Sequence, residues 1–186
     1  YSFDPDKAKE LLAEAGYPDG FEVSMTVRND PLRMEMAQAI QHSLAQGGIN
    51  VTLKPGAGAE VLGDYRARNH ELTLQSWGPD YPDPHTNAST FAWNPDNSDD
   101  GALSGILAWR TAWDPGELTQ MVDDAVMERD TDKRAEMYRE IQARHRDDSA
   151  FIMMFQEIAQ TAMRSNVQNF FTGGTIDSVV YWYTEK

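Results

Sequence analysis

Two carboxylates stand just beyond an apolar run that the sequence breaks abruptly. The run Leu72–Trp77 ends at the dipeptide Gly78-Pro79, and Asp80, Tyr81 and Asp83 follow among further prolines. A carboxylate that is walled by aromatic side chains and shielded from water pairs well with an ammonium group. Because Gly78-Pro79 leaves backbone groups without strand partners, an extended ligand can add its main chain there. Asp80 is therefore the candidate anchor for a cationic amine.

Asp83 has a simpler interpretation than Asp80. It precedes Pro84, and an Asp in such a tight turn bonds nearby backbone N–H groups. The two acids of a glycoside hydrolase face each other across a cleft, usually from different strands, whereas Asp80 and Asp83 share one turn. We favour a local structural role for Asp83, and a hydrolase that uses both acids stays open as an alternative.

No other pattern in the sequence predicts catalysis, a metal ion or a cofactor. Cysteine is absent, which excludes disulfides, thiol catalysis and Cys-type zinc sites. The histidines are nowhere at the spacing of a zinc or catalytic cluster. The stretch Asp96–Gly101 matches the start of a calcium loop, but Leu107 occupies the place of the required bidentate Glu. We expect no catalytic residue, no metal and no cofactor.

The composition is that of an acidic globular chain. Hydrophobic residues make up 40% of the 186 residues, which is enough for a sizeable core. The 16 basic and 30 acidic residues give a net charge of −14. This charge argues against nucleic acid or an anionic membrane as partner, because both require clustered Lys and Arg. No apolar window reaches the roughly 18 residues of a membrane span.

The first 77 residues alternate between helix and strand patterns. Helices are predicted from Pro5, N-capped by Asp4, to Gly16, from about Pro31 to Gly47, and from about Ala59 to Arg68. Strands are predicted at Phe21–Val27, at Ile49–Leu53 and from Leu72 into Trp77. This order is typical of a mainly parallel sheet flanked by helices, with right-handed crossovers. Binding residues in such sheets lie beyond the carboxyl ends of strands, as Asp80 does.

The rest of the chain is less regular. Residues 82–114 read as a long loop, which is usually functional in a compact domain. Helices are predicted after Asp114-Pro115 and after Asp130 or Thr131, and strands at Phe151–Phe155, Ile158–Met163 and Val179–Tyr183. No linker divides the sequence, so residues 1–186 are expected to form a single lobe.

Three stretches together resemble a known family, the family 5 solute-binding proteins of peptide-type ABC importers, with dipeptide-, oligopeptide- and nickel-binding members. These stretches are Tyr1–Phe21, Leu44–Val51 and Trp77–Pro84, in the order and at about the spacing of the family. The resemblance covers nearly the whole chain but corresponds only to the C-terminal lobe of a larger two-lobed receptor. It implies a periplasmic-binding-protein-like α/β lobe that is not an enzyme.

The resemblance also implies a site and partners. Asp80 would hold the amino terminus of a peptide, and the backbone of Trp77, Gly78 and Pro79 would pair with the peptide main chain beside Tyr81. Arg33, at the start of the second helix, would meet a ligand carboxylate. The implied partners are a peptide or small-molecule ligand, the missing N-terminal lobe and an ABC permease, which places the receptor at the extracytoplasmic or periplasmic face of a membrane. A structural or signalling derivative that lost its ligand is a further alternative.

Overall fold

The chain folds as two units, Tyr1–Ser76 and Trp77–Lys186, and each has its own hydrophobic core. The structure is a computed structural model that describes residues 2–156, 158, 160–172, 179–180 and 184. None of the helices in this described part combines the length and apolar character that crossing a membrane requires. Whether both units together form the predicted single lobe stays a prediction.

Three helices alternate with three strands in the first unit. In chain order these are α1 (Pro5–Glu14), β1 (Phe21–Arg28), α2 (Pro31–Gln46), β2 (Ile49–Gly56), α3 (Gly58–Arg66) and β3 (Leu72–Thr73). The strands form a parallel sheet in the order β2-β1-β3, with Phe21 opposite Ile49 and Met25 opposite Leu72. The predicted α/β class, with a mainly parallel sheet flanked by helices, is confirmed.

The first two helices of this unit begin at aspartate N-caps. The cap at Asp4 is predicted from the sequence, whereas for the second helix only the start near Pro31 is predicted. The Asp4 carboxylate accepts from the Lys7 N–H at 2.9 Å, and the Asp30 carboxylate accepts from the Arg33 N–H at 3.0 Å. Each of these two helices has proline in its first turn, where the missing N–H costs nothing. Gly16, just past α1, has φ of +91°, a conformation that glycine adopts without steric cost.

The sheet buries one face against α2. Met25 and Val27 of β1 lie beside Val51 of β2, and Ala37 of α2 packs on them. Val27 and Ala37 are completely buried. The alternating pattern of β1 is explained by this packing, because every second side chain points to the α2 face.

The second unit is mainly helical within the described residues. Its elements are α4 (Pro84–Phe91), α5 (Leu107–Arg110), α6 (Glu117–Met127), α7 (Thr131–Asp147) and the antiparallel pair β4 (Phe171–Thr172) and β5 (Val179–Val180). Its core contains residues of α4, α6 and α7, among them Val122 and Ile141. The prediction of a structureless loop over 82–114 is wrong, because α4 and α5 interrupt it.

One helix start in this unit differs from the sequence prediction, and the other lies at one of the two predicted positions. The N-cap of α6 is Gly116, with φ of +58°, and not Asp114. Asp114 instead accepts from the Gly116 N–H at 2.9 Å, which shapes the turn before the helix. The N-cap of α7 is Asp130, whose carboxylate accepts from the Lys133 N–H at 2.9 Å.

The predicted strands at Phe151–Phe155 and Ile158–Met163 are wrong for the residues that the structure describes. These residues have no strand conformation, and no described strand pairs with their backbone. Large apolar side chains are exposed there, with Ile152 at 87% and Ile158 at 81%. Of the last predicted strand, Val179–Val180 forms β5, and residues 181–183 lie outside the described part.

Candidate functional site

Asp80 lies in an exposed segment between the end of the apolar run and α4. Thr73 is the last residue of β3, although the Leu74 N–H still donates to the Thr26 carbonyl at 3.3 Å. The Asp80 side chain is exposed. Among the described residues, no hydrogen bond or ion pair involves its carboxylate. Its acceptor positions are therefore available to a ligand.

The other residues predicted around Asp80 share this exposure. Trp77 is 36% exposed and Tyr81 is 48% exposed, while Pro79 is half-buried. The Trp77 ring stands edge-on to that of Phe91, with centroids 5.3 Å apart. Trp77 is thereby anchored on α4 while part of its surface faces solvent. Ligand contact by Trp77, Gly78, Pro79 and Tyr81 stays a prediction.

Asp83, three residues further on, is fully engaged. Its carboxylate accepts from the His85 N–H at 2.8 Å and so caps α4. It also accepts two hydrogen bonds from Arg134 of α7, at 3.1 Å and 2.9 Å. The Arg134 guanidinium, together with the capping bond, holds the pKa of Asp83 below its usual value. The predicted local role is therefore correct but incomplete, because Arg134 adds a long-range ion pair.

Arg134 is itself held by the aromatic side chain of Tyr138. Its guanidinium carbon lies 4.8 Å from the centroid of the Tyr138 ring, one turn along α7. The Tyr138 hydroxyl is 3.1 Å from Nδ1 of His85 on α4. Burial raises the pKa of Tyr138, which is only 3% exposed. Asp83, Arg134, Tyr138 and His85, here called the Asp83 clamp, join α4 to α7.

Arg33 belongs to the first unit and lies in the first turn of α2. One guanidinium nitrogen donates to Asp30 at 2.9 Å and the other terminal nitrogen donates to Ser76 at 3.1 Å. The Arg33 side chain is 25% exposed. Its predicted place at the start of the second helix is confirmed, and its role toward a ligand stays a prediction.

A polar cavity of about 460 Å³ lies within the first unit. Its lining includes Ser24, Glu71 and His70, but neither Arg33 nor any residue of 77–81. The Glu71 carboxylate accepts from the Ser24 hydroxyl and, at 2.8 Å, from the Ser24 N–H. These bonds hold the pKa of Glu71 below its usual value. The Glu71 side chain is thus held beside Ser24 of β1, next to the start of β3.

The candidate metal site of the sequence is a turn in the structure. The Asp96 carboxylate accepts from the Ser98 N–H at 2.9 Å, and the Ser98 hydroxyl accepts from the Gly101 N–H at 3.2 Å. Within the described ranges, no group of three or more His, Asp or Glu side chains is arranged to hold a metal ion.

The chemistry available to the two acids differs accordingly. Asp80 can accept hydrogen bonds from a ligand ammonium without losing an internal partner. Asp83 is a poor general acid, because Arg134 favours its ionised form. Asp83 therefore does not fit the role of the protonated carboxyl group that acid/base catalysis by a carboxyl pair needs.

Comparison with known proteins supports a binding role. The family model of the bacterial extracellular solute-binding proteins, family 5, middle region, matches residues 1–99. Heme-binding protein A of Haemophilus influenzae is 26% identical over 183 residues, which cover 91% of this chain and 30% of that protein. The dipeptide-binding protein of Escherichia coli is 26% identical over 175 residues, with 91% and 31% covered. The chain thus spans less than a third of the length of these relatives.

Solved structures show the same architecture. The periplasmic binding protein DppA of Helicobacter pylori, in complex with the peptide STSA, has a TM-score of 0.68 and 26% identity over 78% of this chain and 27% of its own. The dipeptide-binding protein of Pseudoalteromonas, in complex with Met-Leu, has a TM-score of 0.70 over 98% of this chain and 36% of its own. At 22% identity the second likeness supports the fold alone.

The matched family consists of solute-binding proteins, and the relatives described above are named as binding proteins. This agrees with the sequence prediction of a binding module rather than an enzyme. The family model covers more than half of the 186 residues. The chain therefore belongs to the bacterial extracellular solute-binding proteins of family 5.

Proposed function

We propose that the chain is part of a longer extracytoplasmic receptor of an ABC importer, and that it captures a peptide or another amine-bearing solute. The observation that carries this proposal is the contrast between the two acids of residues 78–83, here called the Asp80 corner. The Asp83 carboxylate is bonded to the His85 N–H and to Arg134, whereas Asp80 is exposed and makes no internal bond among the described residues. An unpaired acid next to exposed aromatic side chains suits a cationic amine.

Each predicted residue has a role in this proposal. Asp80 accepts hydrogen bonds from the ligand ammonium, and the backbone of Trp77–Pro79 pairs with an extended ligand main chain. Arg33, in the first unit, retains N–H donors beyond the two that it gives to Asp30 and Ser76, and such donors suit a carboxylate.

The missing part of the receptor supplies the second wall of the site. Closure of a second lobe over Asp80 would remove water from the charge pair and strengthen it, since a low-dielectric environment enhances ionic interactions. The closed receptor would then deliver the solute to a membrane permease from the periplasmic side. The relatives named as dipeptide-binding support the peptide class for this chain.

The experiment that tests the proposal is mass spectrometry of small molecules that co-purify with the full-length receptor. The expected result is a solute with a free cationic amine, retained by the wild type and by Asp19→Asn but lost from Asp80→Asn. Asp19 is a matched control, because it is also an exposed acid in a turn. A solute without a cationic amine, or one retained equally by Asp80→Asn, would contradict the proposal.

A further inference from the structure

Arg134 and Asp83 join two segments that are 51 residues apart in the sequence. Both terminal nitrogens of the guanidinium donate to the two carboxylate oxygens, at 3.1 Å and 2.9 Å. A two-point contact of this kind fixes orientation as well as distance, because the guanidinium fork is planar and rigid. Arg134 therefore sets where the Asp83 carboxylate lies and how it is turned.

A hydrogen bond and a proline restrain the short turn from Tyr81, the neighbour of Asp80, to Asp83. The Asp83 N–H donates to the Tyr81 carbonyl at 2.9 Å, and the Thr86 hydroxyl donates to the Asp83 carbonyl at 2.9 Å. Pro82 lies between Tyr81 and Asp83, and its ring fixes one backbone torsion. A change in the position of Asp83 therefore acts directly on Tyr81, the residue bonded to Asp80 along the chain.

The helix that carries Arg134, α7, is well packed around this residue. Tyr138, over whose ring the Arg134 guanidinium lies, is 3% exposed, and Ile141 on the same helix is 2% exposed. Both side chains belong to the core that packs α7 against α4 and α6. Arg134 thus projects from a well-packed helix surface, which is the kind of support that a precise binding site needs.

From this geometry we propose that Arg134 is a positioning residue of the solute site, which holds the Asp80 corner in its binding conformation through Asp83. The inference rests on the proposed function, in which Asp80 anchors the ligand amine. Arg134 does not contact the ligand in this scheme. It raises the fraction of receptor whose Asp80 corner is ready to bind, and apparent affinity follows that fraction.

The test uses Arg134→Met and Arg134→Lys in the full-length receptor. Methionine removes all N–H donors, whereas lysine keeps the charge but cannot form the two-point contact. Lys133→Met is the matched control, because it removes a neighbouring cation of α7 whose ion pair, with Glu128 at 2.5 Å, lies outside the clamp. Calorimetric affinity for the dipeptide Ala-Ala and hydrogen exchange of the Asp83, His85 and Thr86 amides, whose hydrogen bonds form the turn and the cap, are measured for each variant.

The expected result is selective loosening of the corner. In Arg134→Met, exchange of the Asp83, His85 and Thr86 amides accelerates while the core amides of α6 and α7 stay protected. The Kd for Ala-Ala rises about tenfold, as expected if the binding-ready fraction falls to about a tenth. Arg134→Lys gives an intermediate effect and Lys133→Met gives none. Unchanged exchange and affinity in Arg134→Met would overturn the inference, and so would exchange that rises evenly through the whole second unit.

Failure of the proposed function has a different signature. If the wild-type receptor does not bind Ala-Ala, the peptide proposal and the ligand part of the inference fail together, while the exchange data still decide whether Arg134 orders the corner. If the wild type binds and Arg134→Met binds equally well, only the positioning role is refuted.

Discussion

Removal of the Asp83 carboxylate gives a prediction whose size follows from its contacts. Asp83→Ala deletes the cap of α4 and both hydrogen bonds to Arg134. Loss of an N-cap costs about 1 kcal/mol. The ion pair is partly exposed, at 34% for Asp83 and 25% for Arg134, so solvent screening limits its contribution to about 1 kcal/mol. We expect Asp83→Ala to lower the free energy of unfolding by about 2 kcal/mol.

Two further variants separate the contributions. Asp83→Asn keeps an oxygen that can accept from the His85 N–H but removes the charge, so we expect it to retain most of the cap and lose most of the ion pair. Asp130→Ala removes the cap of α7 but no hydrogen bond of the Arg134 guanidinium, and should cost about 1 kcal/mol.

The assay is urea unfolding followed by tryptophan fluorescence. All five tryptophans of the chain follow residue 76, so the signal reports on the second unit, which contains Asp83. If Asp83→Ala and Asp130→Ala are equally destabilising, the Arg134 contact contributes nothing to stability, and the reasoning from its two-point geometry is refuted.

Three other changes test different parts of the fold. Gly20→Ala should destabilise the first unit by more than about 1 kcal/mol, because Gly20 has φ of +76° and a Cβ there would lie 1.9 Å from the Gly48 carbonyl oxygen. Thermal unfolding followed by circular dichroism measures this, and an unchanged melting temperature would contradict it. Burial lowers the pKa of His145, so the free energy of unfolding is at its full value above the unfolded pKa near 6.5 and decreases as the pH falls below it. Unfolding followed by fluorescence at pH 7.5 and 5.5 checks this, and an equal pH dependence in His145→Gln would refute it. The isolated chain should self-associate through the exposed apolar side chains of residues 152–155. The double variant Ile152→Ser, Phe155→Ser should shift the chain toward monomer in sedimentation velocity, and no shift would exclude this segment as the contact.

The parts of the fold that the sequence predicts are those with local causes. Asp4-Pro5 and Asp30-Pro31 place a cap and a proline together, and α1 and α2 begin there. The alternation in Phe21–Arg28 reflects one apolar face, so β1 is recognisable without knowledge of its partners. The place of Asp80 just after the apolar run follows from the same local pattern, but its exposure differs from the shielded setting that the sequence analysis expects.

The parts that escape prediction depend on distant partners. The contact between Asp83 and Arg134 spans 51 residues, and nothing near Asp83 in the sequence indicates it. A cap at Asp83 followed by Pro84 is a signal for α4, but the polar stretch His85–Thr90 has too weak a helical periodicity to show it. The apolar residues of 151–155 have strand propensity, yet without a neighbouring strand among the described residues they form none.

The central claim is that the Asp80 carboxylate neutralises the amine of a captured solute. The most direct measurement is the calorimetric affinity of the full-length receptor for Ala-Ala, compared with N-acetyl-Ala-Ala and with the Asp80→Asn variant. The account predicts that acetylation and Asp80→Asn each weaken binding by about a hundredfold or more, because each leaves one member of a buried charge pair without its partner. Tight binding of Ala-Ala by the wild type that is unchanged in Asp80→Asn would contradict it.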